Sequence, residues 1–112
     1  MQLFVLVLNK TALMEDILHK MALSGIKGAT VLESTGMARL LKDVDDMAFF
    51  SGLRSMLNMD RAQSNTIFVV LEDNQVETAR TIVNVVTGGL NKPDTGIMFA
   101  IPTLFVEGLN KK

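Results

Sequence analysis

Three Thr-Gly dipeptides, Thr35-Gly36, Thr87-Gly88 and Thr95-Gly96, occur in a chain with few other residues suited to chemistry, and the last two flank a lysine, a proline and an aspartate, Lys92-Pro93-Asp94. A glycine at a turn leaves the backbone uncovered, so a ligand can approach main-chain amide groups directly. Gly36 is the most pointed case, because it ends a strand-like run, GATVLESTG, at the mouth of a long connection. A plain turn explains the same residue. Gly25 and Gly28 need no further reading than a helix end and a turn.

The groups that make and break bonds are scarce. His19 is the single histidine, and there is no cysteine, tyrosine or tryptophan, so thiolate metal sites, disulfides and the usual acid, base and nucleophile sets cannot be assembled. No catalytic residue and no metal ligand is expected, and the chain is read as a non-enzyme. The acidic stretch KDVDD (Lys42 to Asp46) lacks the glycine and terminal glutamate of a calcium loop and reads as a solvated turn.

Totals narrow the class further. A chain of 112 residues with net charge −1 and no basic stripe is a poor match for a phosphate backbone, so no nucleic-acid partner is expected. Its apolar runs fall far short of the ~18 residues of a membrane span, so no direct membrane insertion is expected, and the N-terminal MQLFVLVLNK has no basic segment before its short apolar stretch. The expectation is a single cytoplasmic domain over residues 1–112.

Hydrophobic period places the elements. LFVLVL (Leu3 to Leu8) is a buried strand. Thr11 is placed to cap a helix whose apolar residues Leu13, Met14, Ile17, Leu18 and Met21 recur every three or four positions, with Glu15, Asp16, His19 and Lys20 opposite. Gly28 to Thr35 reads as a second strand and Thr66 to Leu71 as a third; Asp73 or Asn74 is placed to cap a second helix with the stripe Val76, Ala79, Ile82, Val83 and Val86, stopped by Gly88-Gly89. A last strand runs from Gly96 to about Val106, with Pro102 pointing to an edge or a bulge.

The order β-α-β-β-α-β is that of the α+β ferredoxin-like sandwich, a four-stranded antiparallel sheet with two helices on one face. Its strands do not alternate: Leu3, Val5 and Val7 are as apolar as Phe4, Leu6 and Leu8. Both sheet faces therefore need cover, and two helices supply one. Half a dozen uncovered Val, Leu or Phe side chains forgo roughly 1.5 to 3 kcal/mol each, so an obligate homo-oligomer packed sheet against sheet is expected, the alternative being that the middle segment folds back over the sheet.

GIKGATVLESTGMAR, a long connection, a strand, a helix and then TGGLNKPDTGIMF resemble the PII signalling protein family and its divergent PII-like relatives over nearly the whole chain. The resemblance implies a homotrimer with inward-facing sheets and effector sites in clefts between subunits. Thr35-Gly36-Met37-Ala38-Arg39 is similar to the family's strand-ending element, the span 88–96 to its B-loop, and the span 37–65 to its partner-binding T-loop. The implied ligand cleft is formed by Thr30, Gly36, Arg39, Gly88, Gly89, Lys92, Thr95 and Gly96, and the Thr-Gly pairs become turns whose amides cradle an anion or an adenine ring.

The differences from the family are equally specific. Nucleotide-binding members have a lysine after the last B-loop glycine and arginines on the final strand; here Ile97 follows Gly96, and IMFAIPTLFVEGL has no basic residue. A triphosphate loses most of its charge-assisted contacts, so the implied effector is an adenine mononucleotide or another small anion, or there is none. In the middle segment Phe49, Phe50, Leu53, Met56 and Leu57 fall at helical spacing and form a face for a partner or for a neighbouring subunit. The resulting expectation is a regulatory protein that reports a metabolite to a membrane transporter or a metabolic enzyme through its long loop. An ACT-like amino-acid-sensing module and a non-sensing structural oligomer are the alternatives. Acylphosphatase-like enzymes share the topology but need an arginine in the first loop, which reads NKT.

Overall fold

The LFVLVL run becomes the interior of the sheet. In the computed structural model, which describes residues 1–37 and 64–109, β1 (Gln2–Leu8) pairs antiparallel with β3 (Ser64–Leu71) on one side and with β4 (Gly96–Pro102) on the other. The short β2 (Thr30–Ser34) pairs antiparallel with the outer side of β3, giving the order β2-β3-β1-β4. The most continuously apolar strand sits between two others, where neither of its edges meets water. Helix α1 (Met14–Leu23) connects β1 to β2 and helix α2 (Val76–Thr87) connects β3 to β4. The chain is thus an α+β, ferredoxin-like βαββαβ arrangement.

Register decides which residues face the helices. Phe4 lies opposite Val69 and Ala100, and Leu6 opposite Ile67 and Met98; with Leu8 and Leu71 they form the sheet side of a core closed by Ile17, Met21, Ala79, Ile82 and Val83. The helical stripes read from the sequence are the ones that pack here, while Glu15, Asp16 and His19 are exposed. Each fully buried side chain of this size contributes roughly 1.5 to 3 kcal/mol.

Boundaries and caps differ from expectation for local reasons. Thr11 does not cap α1; it opens a 3-10 turn, Thr11–Leu13, that feeds the helix without a side-chain cap. Neither Asp73 nor Asn74 caps α2, which has no side-chain cap; Glu72 instead caps the 3-10 turn Asp73–Gln75 that leads into it, in a reciprocal capping box with Gln75 in which the Glu72 N–H donates to Gln75 Oε1 at 2.9 Å. β2 starts at Thr30 rather than Gly28, because Ile26 is buried in the core and donates to Met21 O at 2.9 Å, which keeps the chain at the helix end. β3 begins two residues early, at Ser64, and β4 stops at Pro102 rather than near Val106, where its partner β1 runs out at Gln2. β4 is an edge strand with its proline as the last residue, as Pro102 implied.

Among the described residues, no helix lies on the second face of the sheet. Its rows run Thr30–Phe68–Val5–Phe99 and Leu32–Thr66–Val7–Ile97, followed by Val70–Leu3–Ile101. Val5 is buried by its flanking phenylalanines, but Leu32, Ile97, Phe99 and Ile101 are about half exposed. No charged residue falls in these rows. The middle segment expected to form a phenylalanine-methionine face or to fold over the sheet, and the acidic stretch Lys42 to Asp46, lie outside the described residues.

Candidate functional site

The connection between α2 and β4 is built by its own sequence. Gly88 takes φ 78, ending the helix in the left-handed region, and its N–H donates to Asn84 O at 2.9 Å. The buried Thr87 closes the same end: its hydroxyl donates to Val83 O at 2.7 Å and accepts the Gly89 N–H at 3.1 Å. Lys92 folds back over this turn, and a methyl group on Gly88 would stand 2.7 Å from Lys92 Nζ. Its ammonium is therefore held near the carbonyl end of α2, where the helix dipole favours a cation.

The other end of this connection is tied to β1. Asn9 N–H donates to Thr95 O at 2.9 Å, and the Thr95 hydroxyl, 1% exposed, donates to Pro93 O at 3.3 Å. Asp94 adopts φ 57, with its carboxylate 3.4 Å from Asn9 Nδ2. Gly96 pairs with Leu8 at φ 153, and a Cβ there would run into the carbonyl oxygen of Val7.

Two of the three Thr-Gly pairs thus have a reason in the fold, one as a helix terminator and one as a close approach of two strands. Thr35-Gly36 differs. A side chain on the exposed Gly36 would meet nothing within 4 Å, and its backbone is not in the left-handed region.

Within one chain the eight expected residues fall into separate groups. Gly88, Gly89, Lys92, Thr95 and Gly96 come together around the α2–β4 connection. Thr30 and Gly36 belong to β2 and its exit, at the opposite edge of the sheet, three strand spacings or ~14 Å away. Thr30 is exposed and lies beside Phe68 on the open face. The row through Gly96 and Leu8 continues through Asn65 to Glu33, so Gly36, just beyond Ser34, shares the end of the sheet with Gly96 but not its edge. Arg39 lies outside the described residues.

A hydroxyl cluster at the β2 exit was not anticipated. Ser34 Oγ lies 2.7 Å from Ser64 Oγ and 2.8 Å from Thr66 Oγ1, and Ser64 Oγ donates to Ser34 O at 3.0 Å. The cluster pins the two points where the long connection leaves and rejoins the sheet. Its one sequence signal is the polar start, Ser64-Asn65-Thr66, of an otherwise apolar strand.

The connection carries one ammonium, Lys92, and one carboxylate, Asp94, while the Gly88 and Gly89 N–H groups and the Thr87 and Thr95 hydroxyls are already engaged within the fold. Among the described residues, no group of three or more His, Asp or Glu is placed to hold a metal ion, and no helix is long and apolar enough to cross a membrane. Compared with known proteins, the sequence matches no family model and no curated protein.

Proposed function

We propose that the chain is a PII-like regulatory protein that assembles as a homotrimer and binds a small anionic effector between subunits. The effector belongs where the β2 edge of one copy meets the α2–β4 connection of the next. The observation that carries this reading is the division of the candidate residues between opposite sheet edges: Thr30 and Gly36 on one, Gly88 to Gly96 on the other. Neither half is a site alone, and two adjoining copies would bring both halves together. An uncharged sheet face without helical cover among the described residues supports the association itself.

The ligand follows from the charge present. Lys92 lies over the Gly88-Gly89 turn, Arg39 follows Gly36 by three residues, and β4 carries no basic residue. Two cations suit a single phosphate or carboxylate, so an adenine mononucleotide or a comparable small anion is the effector class. Its binding orders or releases the 37–65 segment, which engages a membrane transporter or a metabolic enzyme.

Native mass spectrometry of the freshly purified protein, followed by titration with adenosine monophosphate and with inorganic phosphate, tests this reading. A trimer that takes up to one ligand per subunit, with affinity lost in Arg39→Ala, is the expected result. A trimer that binds neither probe would leave a structural oligomer in place of a sensor, and a stable monomer would overturn the reading entirely.

A further inference from the structure

The last described segment begins under firm control and then leaves the protein. Thr103 donates to Met1 O from both its N–H, at 3.2 Å, and its hydroxyl, at 3.0 Å. Its root is therefore fixed at the end of β1. Immediately beyond, Leu104 is 101% exposed and Phe105 is 78% exposed, with Leu109 also open. Two large apolar side chains in succession are held off their own domain, next to a rigid anchor.

We propose that Thr103 to Leu109 is an arm that seats Leu104 and Phe105 on the open sheet face of a second copy of this chain. Thr103 follows the row Gln2–Pro102, the terminal pair of the β1–β4 ladder, so the arm departs past the end of its own sheet. The open face it would meet on another copy presents Leu32, Ile97, Phe99 and Ile101, about half exposed, among neutral neighbours. Such a face has no charge with which to select a charged partner. It matches the apolar Leu104-Phe105 pair, present in the same number as itself.

Area sets the strength of such a contact. With roughly 200 Å² for a fully open side chain of this size, the four face residues plus Leu104 and Phe105 expose on the order of 700 Å² per copy. One arm on one face shares that area between the two partners, so each contact buries ~700 Å² in total, the size of a small exchangeable interface, and a closed ring makes one such contact per copy. An arm of one copy on the face of the next is a head-to-tail contact, which closes into a ring when the rotation between copies allows.

The inference rests on the self-association proposed above and is independent of any effector. Because the chain has no cysteine, cross-links can be placed at will. Full-length Phe105→Cys protein, labelled with heavy nitrogen, is mixed with unlabelled Phe99→Cys protein, equilibrated and oxidised. The expected product is a mixed light–heavy disulfide pair, with the doubly substituted chain also linking between copies. A doubly substituted chain that closes only on itself, or an oligomer in which no mixed pair forms, would overturn the arm. As a second measurement, Leu104→Ser with Phe105→Ser changes only exposed side chains and should raise the dissociation constant of the oligomer roughly tenfold or more in sedimentation experiments. An unchanged constant counts against the arm while leaving self-association intact. A wild-type protein that is monomeric at every concentration removes both.

Discussion

The carbonyl oxygen of Val7 fills the space that a side chain on Gly96 would need. The contact lies where β4 begins its pairing with β1, and Gly96 also sits at φ 153. Gly96→Ala must therefore move one strand away from the other or strain the backbone, at about 1–3 kcal/mol. Gly36→Ala, with open space around it, should change stability by no more than about 0.5 kcal/mol. Urea unfolding midpoints of the two variants measure the contrast, and equal losses would remove the distinction between a glycine the fold requires and one it does not.

Ser34 and Ser64 should behave as a coupled pair. Removing the Ser34 hydroxyl takes one partner each from Ser64, 1% exposed, and Thr66, while Ser64 keeps its donation to Ser34 O, and the loss of such a hydrogen bond costs about 0.5–1.5 kcal/mol. Ser34→Ala and Ser64→Ala should each destabilise, and the double variant should lose clearly less than the sum. Additive losses in a double-mutant cycle would show that the hydroxyls act independently.

At the start of the second helix, Gln75→Ala removes the acceptor for the Glu72 N–H. A loss of about 1 kcal/mol, without change in the far-ultraviolet dichroism of the native protein, is expected. Gln75 should matter more than Asp73 or Asn74, whose alanine variants test the alternative capping sites directly.

Phe99→Lys places an ammonium in the middle of the open face, in the row with Val5 and Phe68. Phe99 is 46% exposed and stands away from the helix-covered core. The chain should still fold, with native dichroism retained, while sedimentation shows the assembly shifted strongly toward monomer. An unaltered assembly would show that this face does not take part in association.

Much of the architecture is legible in the residues themselves. The stripe of Ile17 and Met21, and that of Ala79, Ile82 and Val83, declare two helices that need one sheet face, and the unbroken run Leu3 to Leu8 declares a strand with neighbours on both sides. Caps were less legible because Thr11, Asp73 and Asn74 are good cap types that lie within 3-10 turns, whose tighter winding shifts the true helix start. The hydroxyl cluster was hidden for a different reason: Ser34 and Ser64 are separated by the whole middle segment and meet only through register. For the site, the sequence marks candidate residues but not their division between the two edges of the sheet. Thr30 and Gly96 differ by strand order, and strand order depends on which long-range pairings form.

Strand β1 finds both its partners far along the chain, Leu8 opposite Asn65 and Gln2 opposite Pro102. Such a layout ties folding speed to closing large loops, so this domain should fold slowly for its size. During synthesis, an apolar hexapeptide would wait without a partner until β3 and then β4 had emerged, exposed throughout to mispairing with other nascent chains. The same continuous hydrophobicity that places β1 at the centre of the finished sheet makes it the segment most dependent on chaperone protection before that sheet exists.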